Sequence, residues 1–433
     1  MKRKAYRATA VKQVCWEVLN RGREGCPLQV GFDVGKHEVL AVVRWEDSTF
    51  ERPWLVKNPG EIGILMELLR SMACGRSLRL AMEPTGTYGD VLRQALSDAH
   101  LPLERVGAKA AHDYAEIFDG VPSQHDGKDA AVVAELSALG KSSPWVYEEP
   151  SETEREMAYW VDWMDAQQRQ YVMWLGRLEA LVSRHWPEAR EWLKLSSGVL
   201  LRVLHEYGGP AKLCGDGQAA QRLACWGRRY LQAAKIRGLL ESARQSLGVR
   251  QSPSDVRRVQ QYAAQALAAR REIGRSKRRL EKLARGNAVI ERQARAVGLA
   301  TACVLWVYLG DPSRYHCGEA YRKAMGLNLK ERSSGMYQGT LRISKRGFGQ
   351  VRRWLYFAAL RLIVEGPVGR WYQRKKAKDG EKAQRAVIGV MRKLALALHA
   401  VGARGEEFCS RRLFPGKHLA VRRRGGKRTF CRS

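Results

Sequence analysis

Four acids in the first third of the chain have the type and the placement for phosphoryl chemistry. Asp33 ends the apolar run "LQVGFD" and faces the turn "VGKH". Glu83 ends a second apolar run, "SLRLAME". Asp126 and Asp129 stand three apart in "QHDGKDAAVVAEL" and share a face at helical pitch. Carboxylates at strand ends, joined by a helix-borne pair, are what a two-metal phosphoryl-transfer site needs. Oxygen ligands of this kind suit Mg2+. Each acid also has a plain structural reading, Asp33 as a turn aspartate and Asp126 as a helix cap. The ordered set carries more than any one member.

A second candidate lies in "ERSSGMYQGTLRISKRGFGQVRRW", from Glu331 to Trp354. Ser333 and Ser334 precede Gly335 in an arginine-dense stretch. A serine hydroxyl is a poor nucleophile at neutral pH and needs activation. On spacing alone, Ser334 reads first as a loop serine beside a flexible glycine, and Ser333 is its rival. Arg332, Lys345, Arg346, Arg352 and Arg353 read either as a solvated basic face or as phosphate contacts. The scarcity of nearby acids favours phosphate. His112, His125 and His185 show no ligand spacing. Lys36 and Lys128 read as phosphate contacts or salt-bridge partners. The tryptophans read as core or helix-pairing residues, with one or two available to stack on RNA bases.

The elements that must position these residues follow from periodicity. "LQVGFDVGKHEVLAVVRWED" predicts two strands and a tight turn, and "TFERPWLVKN" a third strand. Helix, strand, helix, strand and helix follow through "PGEIGILMELLRSMACG", "SLRLAME", "DVLRQALSDAH", "PLERVGAK" and "DGKDAAVVAELSALG". That order is an α/β domain. From Ser151 the texture is helical. A Ser151–Glu154 capping box opens a long helix that stops before Pro187. A second long helix starts near Pro253, and Val259, Ala266, Ile273 and Leu280 recur every seven residues along it. That is a coiled-coil-like seam able to pair chains. The expected divisions are a basic lead over 1–26, an α/β domain over 27–150, a helical or coiled-coil region over 151–293, a helical C-terminal domain over 294–402 and a basic tail over 403–433.

Charge names the partner class. Formal net charge is +32. Residues 1–150 carry 19 Lys+Arg against 21 Asp+Glu, and the remainder 57 against 23. A polyanion is the partner that compensates such an excess, through phosphate neutralisation. Residues 411–433 hold nine Lys+Arg and no acid, a segment expected to order on nucleic acid. Nine cysteines without a CxxC pair argue against a structural zinc site or a disulfide framework and fit a reducing cytoplasm. The basic N-terminus lacks an apolar signal core, and the run Ala300 to Gly310 is too short for a bilayer span, so no membrane role is expected.

The strand–strand–strand–helix–strand layout with its four acids resembles the RNase H/RuvC-like nuclease domain. The three segments "GFDVGKHEVLAV", "AMEPTGTYGDVLRQAL" and "HDGKDAAVVAE" occur in order. With "AMGLNLKERSSGMYQGTLRISKRGFGQVRRWLYFAAL" and "VMRKLALALHA", they are similar to the DEDD insertion-sequence transposases of the "one-ten" family, bridge-RNA-guided serine recombinases with a RuvC-like domain. The likeness covers roughly residues 27–145 and 290–400. Two departures stand out: "AVGLATA" replaces a proline-glycine turn, and Gln124-His125 replaces Lys-Thr. The resemblance implies that Asp33, Glu83, Asp126 and Asp129 hold Mg2+. It also implies that Ser334 attacks a DNA phosphate to form a phosphoserine link, and that a second strand's hydroxyl reverses it. Double-stranded donor and target DNA, a structured guide RNA and a homo-oligomer (dimer or tetramer) would be the partners, and the bacterial cytoplasm at the nucleoid the location. Two rivals stay open. One is a RuvC-like metal-dependent junction nuclease that uses water. The other is a non-catalytic nucleic-acid-binding protein.

Overall fold

In a computed structural model, residues 7–120, 125–331, 339 and 341–414 are described. The chain divides after Glu149 into two compact units.

The first unit runs, in chain order, β1 (Thr9–Ala10), α1 (Trp16–Asn20), β2 (Leu28–Val34), β3 (Glu38–Trp45), β4 (Trp54–Lys57), α2 (Ile62–Ala73), β5 (Leu78–Met82), α3 (Asp90–Asp98), β6 (Leu103–Val106), α4 (Ala108–Asp119), α5 (Asp126–Ala138) and β7 (Ser142–Pro144). The seven strands form one mixed sheet in the order β1-β4-β3-β2-β5-β6-β7. β2, β5 and β6 are parallel, and β3 runs antiparallel to both neighbours. Helices cover both faces. Val30, Phe32, Leu65, Leu69 and Leu92 pack together on one side. Ala81, Val106, Ala111, Val132 and Leu136 pack on the other. The central strand β2 is buried on both faces along most of its length, with Gln29 and Asp33 half-buried.

Three pieces of this unit differ from the sequence reading. The described part of the basic lead is structural, because β1 pairs with β4 and Trp16 is buried in the core. Helix α4 was not anticipated. It is alanine-rich, and its apolar stripe of Ala111, Tyr114, Ala115 and Phe118 is short, with Ala111 its one fully buried residue. The edge strand β7 is three residues long and polar.

The second unit runs α6 (Glu152–His185), α7 (Ala189–Trp192), α8 (Gly198–Tyr207), α9 (Pro210–Cys214), α10 (Ala219–Gly227), α11 (Ala233–Arg244), α12 (Pro253–Ala284), α13 (Ala288–Val297), α14 (Leu299–Leu309), α15 (Gly318–Ala324), β8 (Leu329–Lys330), β9 (Arg342–Ile343), α16 (Gly349–Leu362), α17 (Gly366–Lys378), α18 (Ala383–Arg404) and α19 (Ser410–Leu413). Capping boxes open both long helices, Ser151 with Glu154 and Ser252 with Asp255. The helices α6 and α12 pair antiparallel: Arg279 reaches Glu156 at 2.6 Å and Trp163 reaches Glu272 at 3.1 Å. The heptad residues Val259, Ala266, Ile273 and Leu280 are buried within this chain. The seam that suggested pairing between chains is therefore used inside the chain.

At one end of the hairpin, α7 to α11 form a helical cap around Trp186, Leu200, Leu204, Leu223 and Leu239. At the other, Met157, Val161 and Met164 share a core with Leu305, Leu355, Val390 and Leu394. No packing boundary falls at 293/294, because the long helices supply part of the C-terminal core. Helix α18 is long and apolar enough to cross a bilayer by length and composition, but Val387, Val390, Leu394 and Leu398 are core residues. The expected tail also begins inside the fold, with Leu413 buried and Phe414 stacked on Trp371 at 3.8 Å.

Candidate active site

Side chains alternate along β2, so Gly31 and Asp33 point to one face. That face carries α5. A Cβ at Gly31 would run into the carbonyl of Ala130 and the backbone of Ala134. Glycine therefore lets the helix lie directly on the strand. One turn toward the helix start from Ala130, Asp126 and Asp129 arrive at Asp33. Ligand atoms of Asp33, Asp126 and Asp129 all lie within 4.8 Å of one another. Glu83 comes from the adjacent parallel strand. Phe32 pairs with Met82, so Asp33 and Glu83 leave neighbouring carboxyl ends, the usual ligand side of a parallel sheet.

Two turns hold these ends. The Gly35 amide donates to the Glu38 carbonyl at 2.8 Å and closes the β2–β3 hairpin. Asn58 Nδ2 donates to the carbonyl of Gly35 at 3.0 Å and to that of Tyr88 at 3.1 Å. Asn58 thus joins the turn after Asp33 to the loop after Glu83. The sequence reading missed it, since an asparagine before a proline reads as an ordinary turn residue.

The electrostatics are those of crowded, partly desolvated carboxylates. Burial first, then the charges of Asp129 and Asp126, raise Asp33 to about 6. Burial, then Asp33 and Asp129, raise Glu83 to about 7. Asp129 is raised by burial and by Asp126, and is partly relieved by Lys128, His125 and His112. Those two histidines therefore stand near the cluster, although their spacing gave no sign of it. Lys128 is 1% exposed and its Nζ lies 2.6 Å from Asp119 Oδ1, the salt-bridge alternative of the sequence reading. His185 is a core histidine whose Nδ1 meets the Val249 carbonyl at 2.7 Å.

Like charges held this close are relieved by a cation. The donors are all carboxylate oxygens, which fits a hard divalent ion and not a thiolate or imidazole metal. Asp33, Asp126 and Asp129 would hold it, with Glu83 beside them.

In the second unit, Arg332, Ser333 and Ser334 lie outside the described residues. The described flanks form a two-stranded hairpin, in which Leu329 pairs with Ile343 and Lys330 with Arg342. Its base is held by internal cations. Arg352 Nη1 donates to the carbonyls of Met325 at 3.2 Å and Gly347 at 2.8 Å. Arg392 Nε donates to that of Leu327 at 3.0 Å. Arg353 pairs with Asp165, which is 2% exposed and also accepts from Trp354 Nε1 at 3.0 Å. Arg352 and Arg353 are thus engaged within the fold, and burial lowers both from the usual guanidinium range. Lys345 and Arg346 are exposed, and no acid pairs with either among the described residues.

Comparison with known proteins bears on this second unit. Residues 292–373 match a family model described as the transposase IS116/IS110/IS902 family. The match covers α14 to α16 and most of α17, including the hairpin. No curated protein matches the chain significantly. Among solved structures, that of T. thermophilus RuvC in complex with a Holliday junction substrate is similar over 28% of this chain and 99% of that chain, at 14% identity and a TM-score of 0.22. The C-terminal half of this chain thus carries a transposase-family segment, and the N-terminal half an α/β unit with a carboxylate cluster.

Proposed function

We propose that this chain is a transposase of the IS110 type that cleaves and rejoins DNA strands under the guidance of a structured RNA. One conjunction carries the reading: an acid cluster whose ligand atoms lie within 4.8 Å occurs in the same chain as a transposase-family segment over 292–373. Neither alone would select a strand-transfer enzyme. Ser334, just before a glycine in the matched segment, is the nucleophile. Its Oγ bonds to a DNA phosphorus, its proton leaves to a base, and the bond to one strand's sugar oxygen breaks. That strand departs as a free hydroxyl, and a second strand's hydroxyl later displaces the serine. Phosphodiester energy is kept, so no nucleotide is consumed.

Asp33, Glu83, Asp126 and Asp129 are proposed to bind Mg2+. When bound, Mg2+ would neutralise charge on a DNA phosphate held at these carboxylates. Lys345 and Arg346, with Arg332, steady the DNA backbone. Strand exchange between two duplexes calls for a dimer or tetramer, working at the nucleoid of a bacterial cytoplasm.

The test uses purified protein with its co-purified RNA, Mg2+ and end-labelled DNA carrying the element's junction. After denaturation, label should remain on wild-type protein and on Ser333→Ala, and disappear with Ser334→Ala. Cleaved DNA with no adduct in any chain would favour a junction nuclease, in which the acid cluster acts alone and activates water. DNA binding without cleavage would leave a non-catalytic binder.

A further inference from the structure

The helical cap between the two long helices is not needed by the chemistry above, and it has a recess of its own. Along α12, Leu267, Arg270, Arg271, Gly274, Arg275 and Arg278 fall at i, i+3, i+4, i+7, i+8 and i+11, so they form one stripe. The stripe faces α8 and α10 across an open groove of about 680 Å3, within the range of small-ligand sites. Arg202, Trp226 and Tyr230 also line it.

Three observations point to an occupant. The first is unspent charge. Arg202, Arg271 and Arg278 are exposed and no acid pairs with them among the described residues. The one acid in the groove, Glu272, is occupied by Trp163 at 3.1 Å and Arg275 at 3.8 Å. The second is an exposed ring. Tyr230 is 78% exposed, with the Arg229 guanidinium 5.0 Å from its ring centroid. The third is Gly274. Glycine in the interior of a 32-residue helix costs about 1 kcal/mol relative to alanine. Packing does not require it, since a Cβ there would meet only the tip of Arg278 at 3.6 Å. Its effect is to lower the floor of the groove in the middle of the arginines.

We propose that this groove binds a single-stranded stretch of nucleic acid, with the arginine stripe on its phosphates and an unpaired base stacked on Tyr230. Guanidinium groups and aromatic faces together are the recognition chemistry of unstacked strands. A duplex has no free base face to offer Tyr230, and its backbone alone would use the arginines but not the ring. An acidic protein segment would likewise leave the ring idle.

The inference does not rest on strand transfer. The full chain is tested with a strand of roughly ten nucleotides, inside the usual site size, as RNA, as DNA, and as the matching duplex. A single-strand version carries 5-iodouridine for photocrosslinking. The crosslink should fall in the peptide holding Trp226 and Tyr230. Tyr230→Ala should weaken single-strand binding about five- to hundredfold and spare the duplex. Gly274→Leu, which fills the floor and keeps every charge, should weaken it as well. Arg271→Ala and Arg278→Ala should each lower the salt dependence by about 0.7 in slope. Asp33→Asn, which removes cleavage in the proposed function, should leave the crosslink in place, so the two readings fail separately. Equal losses for duplex and single strand, or a crosslink confined to other peptides, would overturn the groove. Whichever of RNA or DNA binds more tightly with these losses is its natural occupant.

Discussion

Gly31 lies directly beneath Ala130, and that contact sets the height of α5 above β2. The strand and helix run in opposite directions, so two residues up the strand from Gly31 correspond to about one turn back along the helix. Asp33 therefore meets Asp126 and Asp129 because position 31 lacks a Cβ. Gly31→Val should lift the helix start, at about 1–3 kcal/mol of overpacking. The fold should survive with a lower Tm, while titration with Mn2+ shows weakened binding. Wild-type Mn2+ affinity in a folded Gly31→Val chain would show that the cluster does not depend on this contact.

The acids store repulsion in the metal-free protein. Asp33 rises from 3.8 to about 6, and Glu83 from 4.5 to about 7. Both hold protons to higher pH in the folded chain than in the open one. Their contribution to stability is present below about pH 4 and is lost as pH rises to about 7. Asp33→Asn removes one charge and eases its neighbours. Without divalent ions, this variant should match wild type at about pH 4 and exceed its Tm increasingly toward about pH 7.5. Mn2+ or Mg2+ should stabilise wild type near neutrality, by about 2.7 kcal/mol at a hundredfold excess over Kd, and leave Asp33→Asn unmoved. A pH-independent difference in Tm would mean that burial and repulsion at Asp33 have been misjudged.

The first unit was legible in the sequence because its strands are short apolar runs that end at turns, and the acids end two of them. The i, i+3 spacing of Asp126 and Asp129 was legible for the same reason. What could not be read was proximity across the fold. His112 and His125 sit thirteen residues apart and meet near Asp129 only because α4 returns beside α5. The heptad seam suggested pairing between chains, whereas Val259, Ala266, Ile273 and Leu280 are buried within this chain. A seam cannot say whether it faces another chain or residues 152–185 of its own. Arg353 looked like its neighbours because the acid that takes it up, Asp165, lies 188 residues earlier in the chain.

Asn58 should act as a positioning residue. Its side chain bonds two carbonyls on the loops that follow Asp33 and Glu83, at 3.0 and 3.1 Å. Each bond contributes about 1 kcal/mol, and the loops are exposed enough to be rehydrated. Asn58→Ala should shift Tm only slightly. Mn2+ affinity and cleavage should fall together, about tenfold, as for other outer-shell partners of a metal site. Asn58→Asp keeps the shape but offers no N–H to either carbonyl, so it should not rescue. Rescue by aspartate would show that the hydrogen bonds are irrelevant.

The basic residues around the hairpin should separate into two groups. Lys345 and Arg346 are exposed, and among the described residues no acid pairs with either. Alanine at either should leave stability within about 0.5 kcal/mol and lower the slope of log K against log salt on duplex DNA by about 0.9. Arg353 is different, because Asp165 beneath it is 2% exposed. Arg353→Ala leaves that carboxylate with Trp354 at 3.0 Å and the largely exposed Arg169 at 3.4 Å. Removing one partner of a buried pair costs about 3–5 kcal/mol, so urea unfolding should show a large loss. The double variant Asp165→Leu/Arg353→Leu should recover much of it, since no charge is left stranded. Arg352→Ala falls between, at about 1–3 kcal/mol for two carbonyls losing their donor. If Arg353→Ala instead kept its urea midpoint and lost the salt slope, its guanidinium would belong on the phosphates and not on Asp165.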